Sequence, residues 1–445
     1  MIKTYNQAIS YLRRSIPKNE NRFPGDLGLK RQTEILRLLG DPQNKIKAIH
    51  LAGTSGKGST AFYISSLLIN HGFKVGLTLS PHLLDIRERF QINNKLISKK
   101  EFVFYLNQII SVVEKIKLTD FGRPTFFEIL IALSFHIFYQ KKVDYMVVET
   151  GLGGLMDGTN TITSPNQVVV ITKLGLDHTA VLGPNLKSIA FQKAGIIHQE
   201  NPVFSIKQLF QAKKVLDDVA LKNKTKVNYI SPKTNFKNIK FKGQTIIYDF
   251  KFDDLNINKL CLNTIGLYQV ENSALSLSVL KFLSSKDSFK LDINQIKNTF
   301  LNTHFFGRVD IYQKGNQTFI LDGAHNPQKM RSLISSLKKV YPHQKFIFIL
   351  AFKQRHDFPQ MIKSILPIAK KIILTSFNIK FQDMAQISQS DSSIITLLKK
   401  LNFDNYQIAL NPKSAYLLAK KTNQSTIITG SLYLLPKIYP YLISQ

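Results

Sequence analysis

The segment His50-Leu-Ala-Gly-Thr-Ser-Gly-Lys-Gly-Ser-Thr60 carries the strongest structural signal in this 445-residue chain. It follows a short β-branched run, Ile46–Leu51, and opens a helical pattern, Ser59–Asn70. Glycines at a strand-to-helix turn let backbone N–H groups approach phosphate oxygens, and the helix N-terminus favours negative charge. Lys57 is placed to reach the β- and γ-phosphates of a nucleotide. A plain glycine-rich turn with an exposed lysine is the alternative, but three glycines around one lysine at this junction favour nucleotide binding.

Short β-branched runs alternate with longer helical patterns on both sides of this loop. Further buried strands are predicted at Lys74–Leu79, Val143–Glu149 and Gln167–Thr172. Helices are predicted at Glu101–Lys115 and Thr125–Tyr139. This alternation indicates βαβ units and a mostly parallel sheet. Residues 225–262 differ, because short alternating strands with Asn- and Lys-rich turns predict a small antiparallel patch at Thr245–Phe252 and Lys259–Leu262.

A second α/β series begins near residue 300. Its predicted strands are Thr318–Leu321, Lys345–Leu350, Lys371–Thr375 and Thr426–Thr429, with helices between them. We place the boundary near residues 295–305, on pattern rather than on any linker composition. The sequence therefore predicts an α/β protein of two unequal domains, residues 1–298 and residues 299–445.

The charge balance is the least usual feature of the composition. The chain has 60 Lys and Arg against 29 Asp and Glu, a formal net charge of +31. A nucleic-acid partner, an anionic small substrate and drift in genome base composition would each explain this excess. The basic residues come as scattered doublets. A nucleic-acid arm would instead show a run of five or six basic residues, and the sequence has no such run. We therefore favour drift with a modest contribution from an anionic ligand, and expect no nucleic-acid partner.

Cysteine usage and hydropathy bear on the compartment. Cys261 is the one cysteine, so no intrachain disulfide is possible, and a reducing cytosol is expected. The N-terminal residues 1–17 lack the apolar stretch and cleavage site of a signal peptide. The most hydrophobic segment, Phe126–Phe138, is too short to span a bilayer. We expect a cytoplasmic protein without a membrane partner.

The loop Gly53-Thr-Ser-Gly-Lys-Gly-Ser59 resembles the ATP-binding loop of the Mur ligase superfamily, in particular that of the dihydrofolate synthase/folylpolyglutamate synthase family. Other motifs of that family follow in order: Ser80-Pro-His-Leu83, Thr125-Phe-Phe-Glu128, Glu149-Thr-Gly-Leu-Gly-Gly-Leu-Met-Asp-Gly-Thr-Asn160, Leu176-Asp-His-Thr179, Ile189-Ala-Phe-Gln-Lys-Ala-Gly-Ile196, Gly266-Leu-Tyr-Gln-Val-Glu-Asn272 and Leu321-Asp-Gly-Ala-His-Asn-Pro327. The resemblance spans nearly the whole chain. It implies a P-loop-type first domain, a Rossmann-like Mur ligase second domain and a monomer.

This chain departs from the family pattern at four positions. Leu155 stands where the family usually has Arg, and Gln192 stands where it has Glu. Ser55 replaces Asn, and Phe306 replaces Pro. None of these changes removes a predicted phosphate or metal ligand, but Leu155 removes an expected polar contact to substrate.

The resemblance implies roles for residues in both domains. ATP is expected to contact Thr54, Ser55, Gly56, Lys57, Gly58, Ser59, Asn272, Arg308 and Asp322. Mg²⁺ is expected on Ser80, Glu149 and His178, with a second Mg²⁺ supported by a carbamylated Lys193. His325 is expected either to hold the incoming glutamate or to make a structural hydrogen bond. Lys57, Lys193 and His325 are thus the predicted catalytic residues. Without the resemblance, Ser80 could equally be a turn residue before Pro81, and His178 could equally be a helix cap or a core histidine. Lys193 would be expected on a solvated helix face.

A folate pocket is also implied by the resemblance. Its expected residues are Asp26, Leu27, Gly28, Leu29, Thr125, Phe126, Phe127, Glu128, Met156, Asp157 and Gly158. Aromatic rings beside a carboxylate suit a flat pterin with hydrogen-bonding edges. For Phe126 and Phe127 the hydrophobic core is a strong alternative, because an aromatic pair at the start of an apolar helix most often packs in the core.

The activity implied is ATP-dependent addition of L-glutamate to dihydropteroate and to folates, through an acyl phosphate, in a cleft that closes between the two domains. Polyglutamylation alone is the nearest alternative. A peptidoglycan-precursor ligase is disfavoured by Asp26-Leu-Gly-Leu29 and Thr125-Phe-Phe-Glu128. A nucleic-acid-stimulated ATPase would hydrolyse more ATP with DNA or RNA and less at high salt. A nucleotide-binding regulator without catalysis is disfavoured by the intact Lys57, Glu149 and His178.

Overall fold

The computed structural model describes residues 1–17, 24–354, 357–379 and 386–443. The chain divides into two compact units. The first comprises Met1–Ile239, Tyr248–Leu260 and Val270–Asn302, and the second comprises Lys240–Ile247, Cys261–Gln269 and Thr303–Gln445. The sequence-predicted boundary between residues 298 and 299 stays a prediction. Among the described residues, we find no helix with both the length and the apolar character needed to cross a bilayer.

The first unit is built on a mostly parallel sheet. Its strands are β1 (Lys47–Ala52), β2 (Val75–Thr78), β3 (Gln91–Ile92), β4 (Lys95–Leu96), β5 (Tyr145–Glu149), β6 (Val168–Ile171), β7 (Val203–Ile206) and β8 (Val227–Ile230). Their order is β4-β3-β2-β5-β1-β6-β7-β8. The six strands β2, β5, β1, β6, β7 and β8 pair in parallel. The pairings of β2 with β3 and of β3 with β4 are antiparallel. The predicted strands on either side of the glycine loop are therefore confirmed.

Helices connect these strands and carry the core. They are α1 (Tyr5–Arg13), α2 (Gly25–Leu38), α3 (Lys57–Asn70), α4 (Lys99–Lys117), α5 (Phe126–Gln140), α6 (Thr179–Leu182), α7 (Leu186–Ala194), α8 (Phe210–Lys222), α9 (Tyr268–Lys286) and α10 (Ile293–Asn302). Almost every side chain of α5 from Phe126 to Phe138 is buried, so this hydrophobic segment is a core helix. This agrees with its length, which is too short to span a bilayer. Strands β9 (Phe236–Lys242), β10 (Thr245–Phe252) and β11 (Leu255–Leu262) form the predicted antiparallel patch.

The second unit is a Rossmann-like α/β layer. Its strands are β12 (Arg308–Lys314), β13 (Gln317–Asp322), β14 (Phe346–Leu350), β15 (Ala369–Leu374), β16 (Asn378–Ile379), β17 (Gln386–Ile387), β18 (Tyr406–Ile408) and β19 (Thr426–Thr429). Its helices are α11 (Pro327–Val340), α12 (Phe358–Ile365), α13 (Asp391–Lys400), α14 (Pro412–Lys420) and α15 (Leu435–Ile443). The main sheet has the order β12-β13-β19-β14-β15-β18, parallel except for β12. The predicted strands here are confirmed, whereas the pattern indicates neither β12 nor β18.

Strand register places the chemistry of the first unit at one edge of its sheet. Leu51 at the end of β1 pairs with Glu149, the last residue of β5. Thr78 at the end of β2 pairs with Val148. The segments that follow β1, β2 and β5 therefore emerge at the same carboxyl edge, where open α/β sheets bind ligands.

Candidate active site

The loop between β1 and α3 has the geometry of a phosphate cradle. Gly56 is the N-cap of α3 and has a left-handed φ of 94°, which glycine adopts without strain. The N–H groups of Thr54 and Ser55 donate to the carbonyl of Lys173 at 3.0 and 3.1 Å, which anchors the loop beyond β6. Lys57 is the first residue of α3. Its side chain therefore starts next to the free N–H groups at the N-terminus of the helix, which are the groups that bind anions.

Asn272 packs directly against this loop, although more than two hundred residues separate them in sequence. A Cβ at Gly56 would lie 2.3 Å from the Oδ1 atom of Asn272. Asn272 is buried and belongs to α9. The structure thus brings together the loop and one of the distant residues that the resemblance assigns to ATP.

Glu149 faces the loop from the end of the neighbouring strand. Its Oε1 lies 3.7 Å from the Nζ atom of Lys57, and its side chain is 7% exposed. The backbone N–H of Ser80 donates to its Oε2 at 3.1 Å. The Nζ atom of Lys57 also lies 3.2 Å from the carbonyl oxygen of Gly53. A buried carboxylate, a lysine and a helix N-terminus therefore converge, which is the charge pattern needed to hold polyphosphate with a divalent cation.

The donor chemistry at this point fits Mg²⁺. Among the described residues, no group of three or more His, Cys, Asp and Glu side chains is arranged to hold a metal ion. Mg²⁺ needs no such cage, because one or two protein oxygens combined with phosphate oxygens and waters complete its octahedron. Glu149 supplies carboxylate oxygens beside the loop, and the backbone N–H of Ser80 holds that residue next to them. The roles of Glu149 and Ser80 as ligands stay predictions. His178, the N-cap of α6, has a left-handed φ of 50°, and its Nε2 lies 3.8 Å from a carboxylate oxygen of Asp177. Its role as a ligand stays a prediction.

Lys193 is buried in the last turn of α7, with 4% of its surface exposed, rather than lying on a solvated helix face. The glycine-rich segment after β5 packs on this helix. A Cβ at Gly154 would lie 3.2 Å from the Cα atom of Lys193. The N–H of Leu155 donates to the carbonyl of Gln192 at 2.7 Å, so two positions at which the chain departs from the family pattern are adjacent in space.

The Asp26–Leu29 segment forms the first turn of α2, and its residues point in different directions. Asp26 pairs with Lys30 at 2.7 Å on an exposed surface, and Leu27 is also exposed. Leu29 is half-buried. Gly28 is buried, and a Cβ there would lie 3.1 Å from Oε1 of Glu128.

Glu128 is already committed to partners within the protein. It forms a capping box with Thr125 at the start of α5. Its oxygens also accept from the Nε and Nη2 atoms of Arg31 at 2.7 and 2.9 Å. Both side chains of this pair are buried. Arg31 was not predicted from the sequence, and the signal available was a charged residue two positions after the Asp26-Leu-Gly-Leu29 motif.

Of the predicted pocket residues, Gly158 lies near the ring of Phe127, and this ring also packs on Gly151, which was not predicted. A Cβ at Gly151 would lie 2.5 Å from Cζ of Phe127, and one at Gly158 would lie 3.6 Å from its Cε1. The side chain of Asp157 accepts from the N–H of Leu152 at 2.7 Å and from Thr159 at 3.0 Å. Burial raises the pKa of Asp157 against the lowering effect of these hydrogen bonds.

Two other predicted residues of the pocket differ in burial. Phe126 is buried in the hydrophobic core of the first unit, which matches the alternative interpretation of this residue. Met156 is exposed over 43% of its surface. The assignment of both residues to the pocket stays a prediction.

In the second unit, antiparallel pairing brings Arg308 and Asp322 together. They are register partners in β12 and β13. Asp322 is buried and accepts from the hydroxyl of Tyr268 at 2.9 Å and from the N–H of Val309 at 3.0 Å. Burial raises the pKa of Asp322, while the charge of Arg308 and these hydrogen bonds oppose the rise. Both residues are thus fixed at the end of the strands that precede α11.

His325 lies just before α11 and is held from both ring nitrogens. Its Nδ1 lies 2.8 Å from the carbonyl oxygen of Gly323, which makes Nδ1 the protonated nitrogen. Its Nε2 then accepts from the ammonium of Lys329, whose Nζ is 3.0 Å away. Asn326 caps the helix by accepting from the N–H of Lys329. The structure therefore gives His325 structural hydrogen bonds, and its contact with glutamate stays a prediction.

These features define a class of protein before any comparison is made. A glycine-rich phosphate loop faces a buried carboxylate at the carboxyl edge of a parallel sheet, and a Rossmann-like unit follows in the chain. The arrangement is that of a nucleotide-dependent enzyme of the P-loop type.

Comparison with known proteins gives the family. Residues 307–441 match the model of the dihydrofolate synthetase C-terminal domain. A probable dihydrofolate synthetase of Schizosaccharomyces pombe is 32% identical over 94% of this chain and 99% of its own. The dihydrofolate synthase/folylpolyglutamate synthase of Bacillus subtilis is 29% identical over 98% of this chain and 99% of its own. The chain belongs to the dihydrofolate synthase/folylpolyglutamate synthase family, as its motifs indicate.

Solved structures support the same fold. The folylpolyglutamate synthase of Mycobacterium tuberculosis, complexed with ADP, has a TM-score of 0.87 at 23% identity and covers 99% of this chain and 98% of its own. An FPGS–AMPPCP–folate complex has a TM-score of 0.81 at 26% identity and covers 99% of this chain and 100% of its own. The prediction of a two-domain α/β fold of the Mur ligase type is confirmed.

Proposed function

We propose that this protein is an ATP-dependent amide ligase that adds L-glutamate to dihydropteroate and to folates. The observation that carries this proposal is the convergence of Lys57, Glu149 and the start of α3, because this arrangement suits phosphoryl transfer between two anions. Membership of the family over nearly the full chain supplies the substrate class.

In the proposed reaction a substrate carboxylate attacks the γ-phosphorus of ATP, forming an acyl phosphate and releasing ADP. The amino group of L-glutamate then attacks the acyl carbon and loses a proton, and the tetrahedral intermediate expels phosphate to leave an amide. Lys57 and the N–H groups at the start of α3 hold the phosphates and offset the charge that develops. Mg²⁺, when bound to oxygens of Glu149 and Ser80 and to His178, supplies further charge neutralisation.

The remaining assignments are proposals of the same kind. Arg308 and Asp322 are assigned to ATP, and His325 to the incoming glutamate. A carbamylated Lys193 is assigned to a second Mg²⁺, and its burial favours a neutralised or charge-paired group over a free ammonium.

We propose that both synthase activities are present. The Bacillus subtilis relative, which aligns with 98% of this chain, carries both activities in its name. Polyglutamylation alone is the second candidate. We further propose a cytoplasmic monomer that acts on small molecules and needs no nucleic acid, because the single Cys261 and the scattered basic doublets point that way.

The test is phosphate release from ATP in the presence of L-glutamate and one acceptor at a time. The acceptors are dihydropteroate, tetrahydrofolate, a UDP-muramyl peptide precursor and DNA. We expect release with both pterin substrates and with neither of the other two. Release with tetrahydrofolate alone would restrict the enzyme to polyglutamylation, and release with no pterin substrate would overturn the proposed function.

A further inference from the structure

Gln32 is a buried amide that the chemistry described so far does not use. It lies in α2 with 0% of its surface exposed. Among the described residues, neither its Oε1 nor its Nε2 atom has a hydrogen-bond partner. Burying an amide without a partner costs free energy, so such a group in a folded protein needs an explanation.

Another buried glutamine shows what a structural amide does in this chain. The Nε2 atom of Gln317 donates to the carbonyls of Ala419 and Gln424 at 3.0 and 2.7 Å. Its side chain thus ties β13 to a neighbouring segment. Among the residues that the structure describes, Gln32 makes no comparable link, which leaves its amide available for a group that is not part of the protein.

Gln32 lies beside Gly158 and close to the ring of Phe127. A Cβ at Gly158 would lie 3.5 Å from Oε1 of Gln32 and 3.6 Å from Cε1 of Phe127. The same ring packs on the backbone of Gly151, where a Cβ would lie 2.5 Å from Cζ. Two glycines therefore adjoin one partly exposed aromatic ring, and the amide of Gln32 lies next to one of them.

The charged groups nearby are already satisfied. Arg31 and Glu128 bond to each other through two contacts of 2.7 and 2.9 Å. Asp157 accepts from backbone and hydroxyl donors of its own turn. What remains for recognition is one neutral amide, which offers an acceptor and a donor side by side.

We propose that Gln32 is a specificity-determining residue that recognises the lactam edge of a pterin ring, an inference that rests on the proposed function. In this arrangement Oε1 accepts from the ring N–H, and Nε2 donates to the adjacent ring carbonyl. The ring of Phe127 shifts to stack on the heterocycle, and the bare backbone at Gly151 and Gly158 leaves room for the flat ring. A buried amide of this kind discriminates strongly, because a ligand without the matching edge leaves it unpaired.

The test uses Gln32→Met, which keeps the length of the side chain but removes its donor and its acceptor. We expect the KM for dihydropteroate or tetrahydrofolate to rise about tenfold, with kcat and the KM for ATP changing by less than about twofold. We also expect the thermal midpoint of the free protein to stay the same or to rise, because an unpaired buried amide is removed. Gln32→Glu, which loses the donor and places a carboxylate against the ring carbonyl, should raise the pterin KM further.

Gln317→Met is the matched control, since it removes a buried amide whose hydrogen bonds lie within the protein. It should lower the thermal midpoint and leave the pterin KM unchanged. An unchanged pterin KM in Gln32→Met, with wild-type protein active on pterins, would overturn this inference alone. A fall in its thermal midpoint like that of Gln317→Met would also overturn it, because the amide would then be paired inside the folded protein. Wild-type protein that uses no pterin substrate would overturn both the proposed function and this inference.

Discussion

Lys57 is the single residue on which the proposed chemistry depends most. Its ammonium lies between the carbonyl of Gly53 and the carboxylate of Glu149, at the start of α3. We predict that Lys57→Met lowers kcat for glutamate-dependent phosphate release about a hundredfold to a thousandfold, because a fixed charge aimed at the transferred phosphoryl group is lost. Lys213→Met, which removes an exposed lysine that pairs with Asp217 and lies over the ring of Tyr229, should leave the rate unchanged. Retention of most of the activity by Lys57→Met would contradict the assignment.

Arg31 offers a residue-scale prediction about stability. Its ion pair with Glu128 is buried, so removing one partner leaves an uncompensated charge in the core of the first unit. We predict that Arg31→Met lowers the free energy of unfolding by about 3–5 kcal/mol, as measured by urea denaturation. Arg31→Met combined with Glu128→Leu should recover part of that loss, since neither charge then remains.

Arg37 provides a control for that experiment within the same helix. It also makes two contacts of 2.7 Å to one carboxylate, that of Glu34, but on the surface. Arg37→Met should therefore change the urea midpoint little, because water replaces a lost surface partner. Equal losses in the two variants would show that burial does not decide the strength of these pairs.

Single residues also show the limits of the sequence. The proximity of Lys57 and Glu149 could be predicted because a motif marks each of them and each follows or ends a strand of the same parallel sheet. Arg31 and Gln32 could not, because an amphipathic helix hides which polar side chains point inward and what they meet there. The residues next to them in space come from α5 and from the turn at Gly158, about 100 residues away or more.

At the scale of elements, α4 begins with a cap that titrates. Ser98 and Glu101 form a capping box, and Lys141 donates to the carboxylate of Glu101. The ammonium of Lys141 and the N–H of Ser98 lower the pKa of Glu101 to about 2, against an ordinary value of 4.5. A carboxyl whose pKa is lowered in the folded state stabilises that state above its ordinary pKa and loses this contribution as the pH falls through the folded value.

Glu101→Gln should therefore be less stable than the wild type at pH 7, by about 1 kcal/mol after allowance for its partial exposure. The difference should shrink below pH 4.5 and vanish near pH 2, and the measurement is urea denaturation over a pH series. Ser98→Ala is the control, because it removes the hydroxyl that accepts from the N–H of Glu101 at 3.1 Å but keeps Lys141 and the N–H of Ser98, which lower the pKa of Glu101 most. Most of its deficit should persist at low pH, and a deficit of Glu101→Gln that persists as well would refute the assignment.

Elements could be predicted from the sequence where they are buried on both faces. The strands β1, β5 and β6 read as continuous apolar runs because helices cover both sides of a parallel sheet. β12 was missed because it is an antiparallel edge strand with charged residues at Arg308, Asp310 and Lys314. β18 is only three residues long, too short to show a period.

At the scale of the whole molecule, the sequence predicts which motifs belong to the candidate site and their order along the chain. It predicts less well how these motifs are arranged in space. The motifs around Lys57, Ser80, Glu149 and Asn272 are spread over more than two hundred residues. Parallel register explains why the first three meet, since β1, β2 and β5 end at one edge of the sheet. The contact of Asn272 with Gly56 depends on the packing of α9, which no local pattern encodes.

The net charge of +31 is also a property of the whole molecule, and it leads to a prediction about salt. A strongly basic protein attracts anionic substrates over distances comparable with the Debye length, which shrinks from about 10 Å at 0.1 M salt to about 3 Å at 1 M. Polyglutamylated folates carry one more carboxylate for each glutamate, so their attraction grows with the length of the tail. We predict that added salt raises the KM for a folate with several glutamates more than the KM for dihydropteroate, while kcat stays constant.

The measurement is initial rate against substrate concentration over a series of KCl concentrations, with tails of one, three and five glutamates. The slope of log KM against log salt should steepen with each added glutamate, because each one adds a charge that salt screens. Sucrose at matched osmolality is the control and should leave the order of the KM values unchanged. A slope that is the same for all tail lengths would mean that the basic surface does not act on substrate. The excess of lysine would then reflect composition alone, without a part in binding.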